Sequence, residues 1–360
     1  MPNLFDPLRI RDLTLKNRIV VSPMCQYSSV EGLSNNWHFV HLASRAVGGA
    51  ALVFTEAAAV SAAGRISPQD LGIWNDEQSS GLTRIVEFVH EQKCAAGIQL
   101  AHAGRKASTV PPWQGGGEVT PADGGWEPLG PTSEPFAPNY PRPRALDAAG
   151  IRRVVDAFRS AALRAVAAGF DVAEIHAAHG YLIHEFLSPL TNTRIDEYGG
   201  SFDNRIRLCL EVTTAVRNVW PPSLPLFVRI SATDWTAGGW DVPQSVALSR
   251  RLGTLGVDLV DCSSGGNVAR AAIPIGPGYQ VPFAAEIRRS ANIPTAAVGL
   301  ITTPSQANEI IERGDADCVF LAREMLRDPY WPLRAARELG CVVPWPTQYL
   351  RAAPTGTPAR

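Results

Sequence analysis

A short apolar run leads directly into three polar rings in the stretch Gly169-Phe170-Asp171-Val172-Ala173-Glu174-Ile175-His176-Ala177-Ala178-His179-Gly180-Tyr181. The apolar run predicts a buried strand that ends close to His176, His179 and Tyr181. Polar side chains at the C-terminal end of a barrel strand are typical of a catalytic site. Two imidazoles can donate hydrogen bonds to one oxygen atom, and a phenol can give up a proton. This stretch therefore predicts a site that polarises an oxygen and delivers a proton.

The same two histidines allow other interpretations. A single histidine near a strand end is often a hydrogen-bonded structural residue. His176 and His179 could also be two zinc ligands, but zinc needs a third protein ligand, and no nearby carboxylate or cysteine has an obvious spacing for that role. We therefore predict no metal, and we keep a metal-dependent lyase or hydrolase as a minor alternative.

Composition limits the class of protein. The chain has 360 residues, 45% of them hydrophobic and 19% charged, which suits one large α/β barrel or two ordinary domains. A net charge of −1 gives no reason to expect nucleic acid or an anionic membrane as a partner. The six cysteines form no CxxC pair. Residues 1–12 lack the apolar segment of a signal peptide, and no apolar stretch is long enough to span a membrane, so we expect a cytoplasmic protein.

Strand-like apolar runs alternate with helix-like periodic runs along most of the chain. Eight such units with short connections predict a single-domain (β/α)8 TIM barrel over residues 1–360. A doubly wound open sheet is the alternative, but no glycine-rich dinucleotide fingerprint follows the first strand. The predicted strands are 19–21, 51–54, 97–100, 171–175, 226–230, 259–262, 295–298 and 318–321.

Two segments, residues 106–146 and residues 341–360, lie outside the alternation of strands and helices. Residues 106–146 are rich in proline and glycine, and a loop of this length in a compact domain is usually a functional lid or disordered. Because the segment contains Trp113 and Trp126, we expect a capping insertion after the third strand. Residues 341–360 form a tail in which prolines and aromatic residues predict adhesion to a surface, either of its own barrel or of a neighbouring subunit.

Chemically distinctive residues recur where the predicted strands end. They are Pro23-Met24-Cys25, Glu56-Ala57, Gln99, His176 with His179, Arg229, residues 263–266, Gly299 and Arg323. Strands seven and eight usually hold the phosphate in barrels of this kind, so Gly299 and Arg323 predict a phosphorylated cofactor across the barrel mouth. Taken singly, Arg229 could pair with Glu56 or Asp261, Gln99 could bond to backbone, and Cys25 could be a buried thiol.

Six motifs in the chain resemble those of the old yellow enzyme family of flavin-dependent ene-reductases, most of all its thermophilic-like subclass, which includes xenobiotic reductases. The resemblance runs from Leu4 to about Arg351. The motifs are Lys16-Asn17-Arg18-Ile19, Ser22-Pro23-Met24-Cys25-Gln26-Tyr27, Gln99-Leu100-Ala101-His102-Ala103-Gly104-Arg105-Lys106, His176-Ala177-Ala178-His179-Gly180-Tyr181, Asp196-Glu197-Tyr198-Gly199-Gly200-Ser201 and Leu321-Ala322-Arg323-Glu324.

The resemblance implies a cofactor and its binding residues. It implies non-covalent FMN, reduced by NADPH or NADH in the same site in ping-pong turnover. A cation at the pyrimidine end favours an anionic reduced flavin. In the family the pair at 322–323 is usually Gly-Arg, so Ala322 is a departure from the pattern. The implied cofactor-binding residues are Ser22, Pro23, Met24, Cys25, Ala57, Gln99, Arg229, Val298, Gly299, Ala322 and Arg323.

The resemblance also implies a reaction. Hydride would pass from flavin N5 to the β-carbon of an enone, maleimide or nitroalkene, while His176 and His179 hold the activating oxygen and Tyr181 protonates the α-carbon. Cys25 would tune the flavin without being a nucleophile, and Tyr27 would help to line the substrate space. Reduction of nitrate esters or quinones, or an idle FMN carrier, are the alternatives within a flavoprotein.

The subclass implies an oligomer as well. In relatives of this type an arginine from the tail reaches the active site of a neighbouring subunit, and here that residue would be Arg351. We therefore expect a homodimer or homotetramer in which Arg351 contributes to substrate binding in trans.

Overall fold

The computed structural model describes residues 2–360. Twelve strands and eleven α-helices are numbered here in chain order. The strands are β1 Leu8–Ile10, β2 Leu13–Leu15, β3 Ile19–Val21, β4 Leu52–Ala59, β5 Ala95–Ala101, β6 Leu129–Gly130, β7 Arg144–Ala145, β8 Val172–Ala177, β9 Leu226–Ser231, β10 Leu259–Ser263, β11 Thr295–Ala297 and β12 Cys318–Leu321. The helices are α1 Asn36–Val47, α2 Asp76–Glu91, α3 Ala148–Ala167, α4 Leu182–Leu187, α5 Phe202–Arg205, α6 Arg207–Arg217, α7 Val242–Thr254, α8 Val281–Ala291, α9 Pro304–Glu312, α10 Arg323–Arg327 and α11 Trp331–Glu338.

Eight parallel strands close into a barrel in the order β3, β4, β5, β8, β9, β10, β11, β12 and back to β3. Every residue of these strands is buried, as expected for parallel strands that are covered on both faces. The predicted (β/α)8 TIM barrel is confirmed, and the doubly wound sheet is excluded. β4 is longer than its predicted strand and carries an irregularity between Phe54 and Ala57.

Three phenylalanine rings fill the barrel interior. The Phe54 ring lies 5.7 Å from Phe320 and 6.2 Å from Phe227, measured between ring centres. Below them the β1–β2 hairpin, which the sequence analysis did not predict, adds Ile10 and Leu15 to the same apolar cluster. The barrel interior is therefore packed with apolar side chains, and the polar residues of the candidate site lie at its C-terminal end.

The helices cover the outside of the barrel with one apolar face each. Asn35 begins α1 with a capping box, and Asp147 begins α3 by accepting a hydrogen bond from the Gly150 backbone. α5 and α6 are separated at Ile206, where the Arg205 side chain donates to the carbonyl groups of Leu187 and Gly200.

The segment 106–146 is held against the barrel by its own contacts. β6 and β7 pair in parallel, and three 3₁₀ turns occur at 104–106, 112–114 and 121–123. Trp126 donates from its indole to the Ala63 carbonyl at 3.0 Å, and the Arg65 guanidinium stacks on its ring.

Across residues 2–360, no helix has the length and apolarity needed to cross a membrane.

Candidate active site

The polar rings predicted from the 169–181 stretch do come together. His176 is the fifth residue of β8, and His179 and Tyr181 follow in the turn before α4. The ring centres of His176 and His179 are 5.1 Å apart, and those of His176 and Tyr181 are 5.0 Å apart. His179 Nδ1 lies 3.3 Å from His176 Nε2, and His179 Nε2 lies 2.8 Å from the Ser263 hydroxyl. Both imidazoles therefore face one side of the barrel mouth.

Gly180, in this turn, and Gly266, in the loop after β10, let the two segments approach closely. The turn has left-handed backbone, with φ values of 60° at His179 and 71° at Gly180. A Cβ on Gly180 would come within 2.3 Å of the Gly266 carbonyl oxygen, and a Cβ on Gly266 within 2.7 Å of the His179 Cα. The position of His179 thus depends on two neighbouring loops that touch backbone to backbone.

Burial sets the protonation of these rings. The pKa values of His176 and His179 are well below the ordinary value, first because both are desolvated and then because the Arg229 guanidinium is near. Desolvation by burial raises the pKa of Tyr181 well above its ordinary value. The site therefore offers two neutral imidazoles, each with one N–H, and a phenol that keeps its proton.

Arg105 and Lys106 belong to the motif at 99–106, but the sequence did not indicate a role for either residue. Lys106 Nζ donates to the carbonyl groups of His179 at 2.9 Å and of Gly266 at 2.8 Å. Its ammonium also lies over the Tyr181 ring, 5.3 Å from the ring centre. Burial and the adjacent Arg105 lower the pKa of Lys106 to about 8. The two adjacent cations shortly after β5 mark this position in the sequence, but they do not indicate the role, because both partners of Lys106 are backbone carbonyls.

His184 is a second residue that the sequence analysis missed. It lies on α4, fully buried, with Nε2 3.0 Å from the Asp234 carboxylate, and its Nδ1 accepts the Gly180 backbone N–H at 2.9 Å. Although burial opposes it, hydrogen bonding to His184 holds the pKa of Asp234 below its ordinary value. This pair fixes the turn that carries His179 and Tyr181.

Cys25 and Tyr27 lie at the mouth of the barrel, in the loop that follows β3. They share an apolar cluster with Ile66, Trp126 and Tyr181, so the capping segment contributes to this wall. Burial, followed by the nearby carboxylates of Asp70 and Glu56, raises the pKa of the Cys25 thiol well above its ordinary value. Cys25 is therefore a neutral thiol, in contrast to the lowered pKa of a reactive cysteine.

The Cys25–Tyr27 segment is held from beneath by Glu56. Its carboxylate accepts the Gln26 backbone N–H at 3.0 Å and contacts His38 Nε2 at 3.1 Å. Tyr27 has a φ of 49° and meets the Trp113 ring edge-on, 5.3 Å between centres. The sequence left Glu56 as one possible partner of Arg229. In the structure Glu56 pairs with His38 instead.

The middle of the mouth carries a charged layer. Register places Arg229 level with His176 on β8 and with Asp261 on β10. Arg229 Nε lies 2.9 Å from Asp261 Oδ2, so the ion pair with Asp261 considered from the sequence is present. Gln99 donates to Glu174 at 2.8 Å rather than to backbone. Burial raises the pKa of both Glu174 and Asp261.

This layer fits the polar edge of a flavin. Within residues 2–360, Ser22 Oγ and Glu174 Oε2 are buried and have no hydrogen-bond partner. Unpaired buried polar atoms cost free energy, so donors and acceptors of a bound heterocycle at these strand ends would compensate them. Ser22 and Arg229 belong to the set that the resemblance implied.

The last two strand ends form a separate recess. A cavity of about 190 Å³ is lined by Val298, Gly299, Ala322 and Arg323, among others. Gly299 has a φ of 116°, and a Cβ there would meet Gln280 Nε2 at 2.7 Å, so the recess requires glycine. Ala322 has a φ of −103°, a value that does not call for glycine. The departure from Gly-Arg therefore does not place a side chain on a left-handed backbone, the conformation that favours glycine.

One predicted site residue, Arg351, lies away from this cluster, and the metal-dependent alternative gains no support. Arg351, on the 3₁₀ turn Thr347–Ala352, is exposed and has no hydrogen bond or ion pair within the part of the chain described. Arg351 is therefore not part of the cluster formed by His176, His179 and Tyr181 in its own chain. In residues 2–360, no group of three or more His, Cys, Asp or Glu side chains is arranged to hold a metal ion.

Fold and site together define an oxidoreductase of the flavin-binding barrel class. A family model described as the NADH:flavin oxidoreductase / NADH oxidase family matches residues 3–340, and the chain belongs to that family. The predicted old yellow enzyme resemblance, the FMN-dependent oxidoreductase class and the cofactors FMN and reduced nicotinamide nucleotide are thereby confirmed.

Relatives of similar sequence match over nearly the full length of the chain. The NADPH dehydrogenase of Geobacillus thermodenitrificans (strain NG80-2) is 52% identical over 350 residues, 97% of this chain and 98% of the relative. The NADPH dehydrogenase of Bacillus subtilis (strain 168) is 48% identical over the same length and coverage. A solved structure of morphinone reductase in complex with tetrahydroNAD superposes with a TM-score of 0.79 at 27% identity, covering 96% of this chain and 93% of the other. An old yellow enzyme homologue from Zymomonas mobilis gives 0.79 at 28% identity, covering 94% and 93%.

Proposed function

We propose that this protein is an NADPH-dependent ene-reductase that saturates the C=C bond of enones, maleimides and nitroalkenes. The observation that carries the proposal is the neutral pair His176 and His179 beside the protonated Tyr181, with ring centres 5.0–5.1 Å apart. A neutral N–H pair can polarise a carbonyl or nitro oxygen without transferring a full charge to it. NADPH is proposed as the reductant because the two relatives compared above are named NADPH dehydrogenases.

The chain's own residues would divide the work. FMN, when bound, supplies the hydride. His176 and His179 hold the activating oxygen, which makes the β-carbon of the substrate electrophilic, and Tyr181 gives its proton to the α-carbon. Lys106 positions His179 and Tyr181. The high pKa of Tyr181 fits this role, since the proton is retained until carbanion character develops next to it.

FMN would extend from the charged layer to the recess. Gln99 and Arg229 would meet the polar end of the ring system, with Ser22, Pro23, Met24, Cys25 and Ala57 beside it. Val298, Gly299, Ala322 and Arg323 would hold the phosphate, where a guanidinium and close backbone N–H groups suit an anion. Cys25 would modulate the flavin, and Tyr27 would bound the substrate space.

The capping segment and the tail would complete the site. We propose that residues 106–146 cover the mouth, supported by the contacts of Trp113 with Tyr27 and of Phe136 with Lys106. We also propose a homodimer or homotetramer in which Arg351 enters a neighbouring site; its exposure and its lack of partners within the described chain support this.

Six unpaired cysteines support a cytoplasmic location, which cell fractionation would test.

Anaerobic stopped-flow kinetics test the function. The enzyme is reduced with NADPH and mixed separately with 2-cyclohexen-1-one, a nitrate ester and a quinone, and flavin reoxidation is followed by absorbance. Fast reoxidation by the enone, with the saturated ketone as product, is expected. Reoxidation by the quinone or nitrate ester alone would replace this proposal with a different reductase.

A further inference from the structure

A cavity of about 340 Å³ lies at the end of the barrel opposite the candidate active site. Its walls include Lys16 and Asn17, directly before β3, Gly49, before β4, and Lys93, before β5. These residues precede the barrel strands, whereas the site residues follow them. The volume falls within the range of small-molecule pockets.

The cavity combines an apolar body with three cations. Phe5, Leu333, Val343 and Pro344 supply apolar wall, and the charged residues on the lining are Lys16, Lys93 and Arg360. Among the lining residues, all of which belong to the described part of the chain, no side chain is acidic. An apolar volume edged only by positive side chains is complementary to an anion with an apolar body.

Lys16 is the most informative of the three. Its ammonium has three donors, and within residues 2–360 its single hydrogen bond goes to the Gln92 carbonyl at 3.3 Å, with no ion pair. Burial and the nearby Arg360 lower the pKa of Lys16 to about 8. A largely buried cation without a counter-ion costs free energy, which an entering anion would offset.

The tail is folded so that it closes this cavity. Trp345 and Ala359 pair as a short parallel bridge, in which the Trp345 backbone N–H donates to Pro358 at 3.0 Å. The loop thereby returns Arg360 to the barrel, where its guanidinium donates to the Ala46 and Val47 carbonyls at 3.2 Å, at the end of α1. Arg360 is thus held in place at the rim of the cavity by backbone contacts on both sides.

We propose that this cavity is a second ligand site, which binds a small organic carboxylate through Lys16, Lys93 and Arg360 and buries its hydrocarbon part against Phe5 and Leu333. The site is independent of the proposed reaction, because the packed phenylalanine layer of the barrel interior separates the two ends. The three cations on the lining supply donors for a carboxylate headgroup, and the apolar walls favour a ligand with an alkyl or aryl body.

Isothermal titration calorimetry of the FMN-loaded enzyme with sodium octanoate tests the proposal, with the flavin absorption spectrum recorded in parallel. Saturable binding of one octanoate per chain without a change in the flavin spectrum is expected, and octan-1-ol should bind far more weakly. Lys16→Met, Lys93→Met and Arg360→Met should each weaken octanoate binding by about tenfold or more, because each removes a charge-assisted hydrogen bond.

Arg337→Met is the matched control, since it removes an exposed charge from α11, the helix that contributes Leu333, without touching the cavity lining. It should bind octanoate as the unchanged protein does. If Lys16→Met fails to fold, the surface variants Lys93→Met and Arg360→Met decide the outcome. Absence of saturable binding, equal binding by all variants, or a perturbed flavin spectrum that places octanoate in the active site would each overturn the proposal.

Discussion

The ammonium of Lys106 lies 5.3 Å from the centre of the Tyr181 ring, and the same ammonium donates to the carbonyl of His179. One side chain from the β5 end therefore contacts both the proposed proton donor and the turn that carries a proposed oxygen-binding imidazole. A cation beside a phenol stabilises its phenolate and so eases loss of the proton.

Lys106→Met should slow enone reduction by roughly tenfold, as expected for the loss of a buried cation–π contact of up to about 2 kcal/mol. The pKa of Lys106 is about 8, so its charge is present below that pH and lost above it. In the unchanged enzyme the oxidative half-reaction should therefore fall as pH rises through about 8. Stopped-flow pH profiles should show this limb vanish in Lys106→Met and return, shifted to higher pH, in Lys106→Arg. A limb that persists in Lys106→Met would assign it to another group.

His176→Ala should weaken the binding of enones and phenols and lower the oxidative rate by roughly 10²–10³, because one donor to the developing negative charge is removed. FMN content should stay unchanged. His90→Ala, an exposed histidine on α2 that pairs with Asp171, serves as the control and should leave both half-reactions as they are. Unaltered oxidative kinetics in His176→Ala and in His179→Ala would remove the pair from the mechanism.

Tyr181→Phe should slow enone reduction while NADPH still reduces the flavin at the normal rate, since only the oxidative half-reaction consumes the proton. Rapid-mixing measurements of the two halves separate these effects. Tyr198→Phe, which removes a phenol hydrogen-bonded to Glu211, is the control and should change neither rate. A defect confined to the reductive half would mean that the role given to Tyr181 is wrong.

Cys25→Ala should retain FMN and fold but shift the flavin midpoint potential and the ratio of the two half-reaction rates. Because the pKa of Cys25 is raised by burial and neighbouring carboxylates, the thiol should also react slowly with iodoacetamide at pH 8. Cys341→Ala, outside the site, should leave the potential unchanged. Complete loss of turnover at normal FMN content would instead indicate an essential thiol.

Arg351→Ala should raise the KM for substrate without unfolding the barrel, because its side chain is exposed and makes no hydrogen bond or ion pair within the described residues. Mixing Arg351→Ala subunits with Tyr181→Phe subunits should restore a fraction of active sites, since a two-fold interface exchanges the same contact in both directions. A fully active monomer by light scattering would show that Arg351 has no catalytic part.

The barrel was predictable because parallel strands are buried on both faces and so appear as continuous apolar runs, such as 226–230 and 318–321. His176, His179 and Arg229 were predictable because strand ends share one edge of the barrel. The roles of Lys106 and His184 were not. The Lys106 partner His179 lies 73 residues away and its partner Gly266 lies 160 residues away, and both are backbone carbonyls, which every residue has. The β1–β2 hairpin was missed because its strands have three residues each, too few for a clear period.

The contact between Gly180 and Gly266 has a consequence for changing the specificity of this enzyme. Any side chain at either position would enter the backbone of the other loop, within 2.3–2.7 Å, and would displace His179. Randomising these two positions in a directed-evolution library would therefore yield mostly inactive clones, although both border the active site. Diversity placed at Trp113, whose ring contacts Tyr27, would reshape the proposed substrate space without a change in either of these two loops.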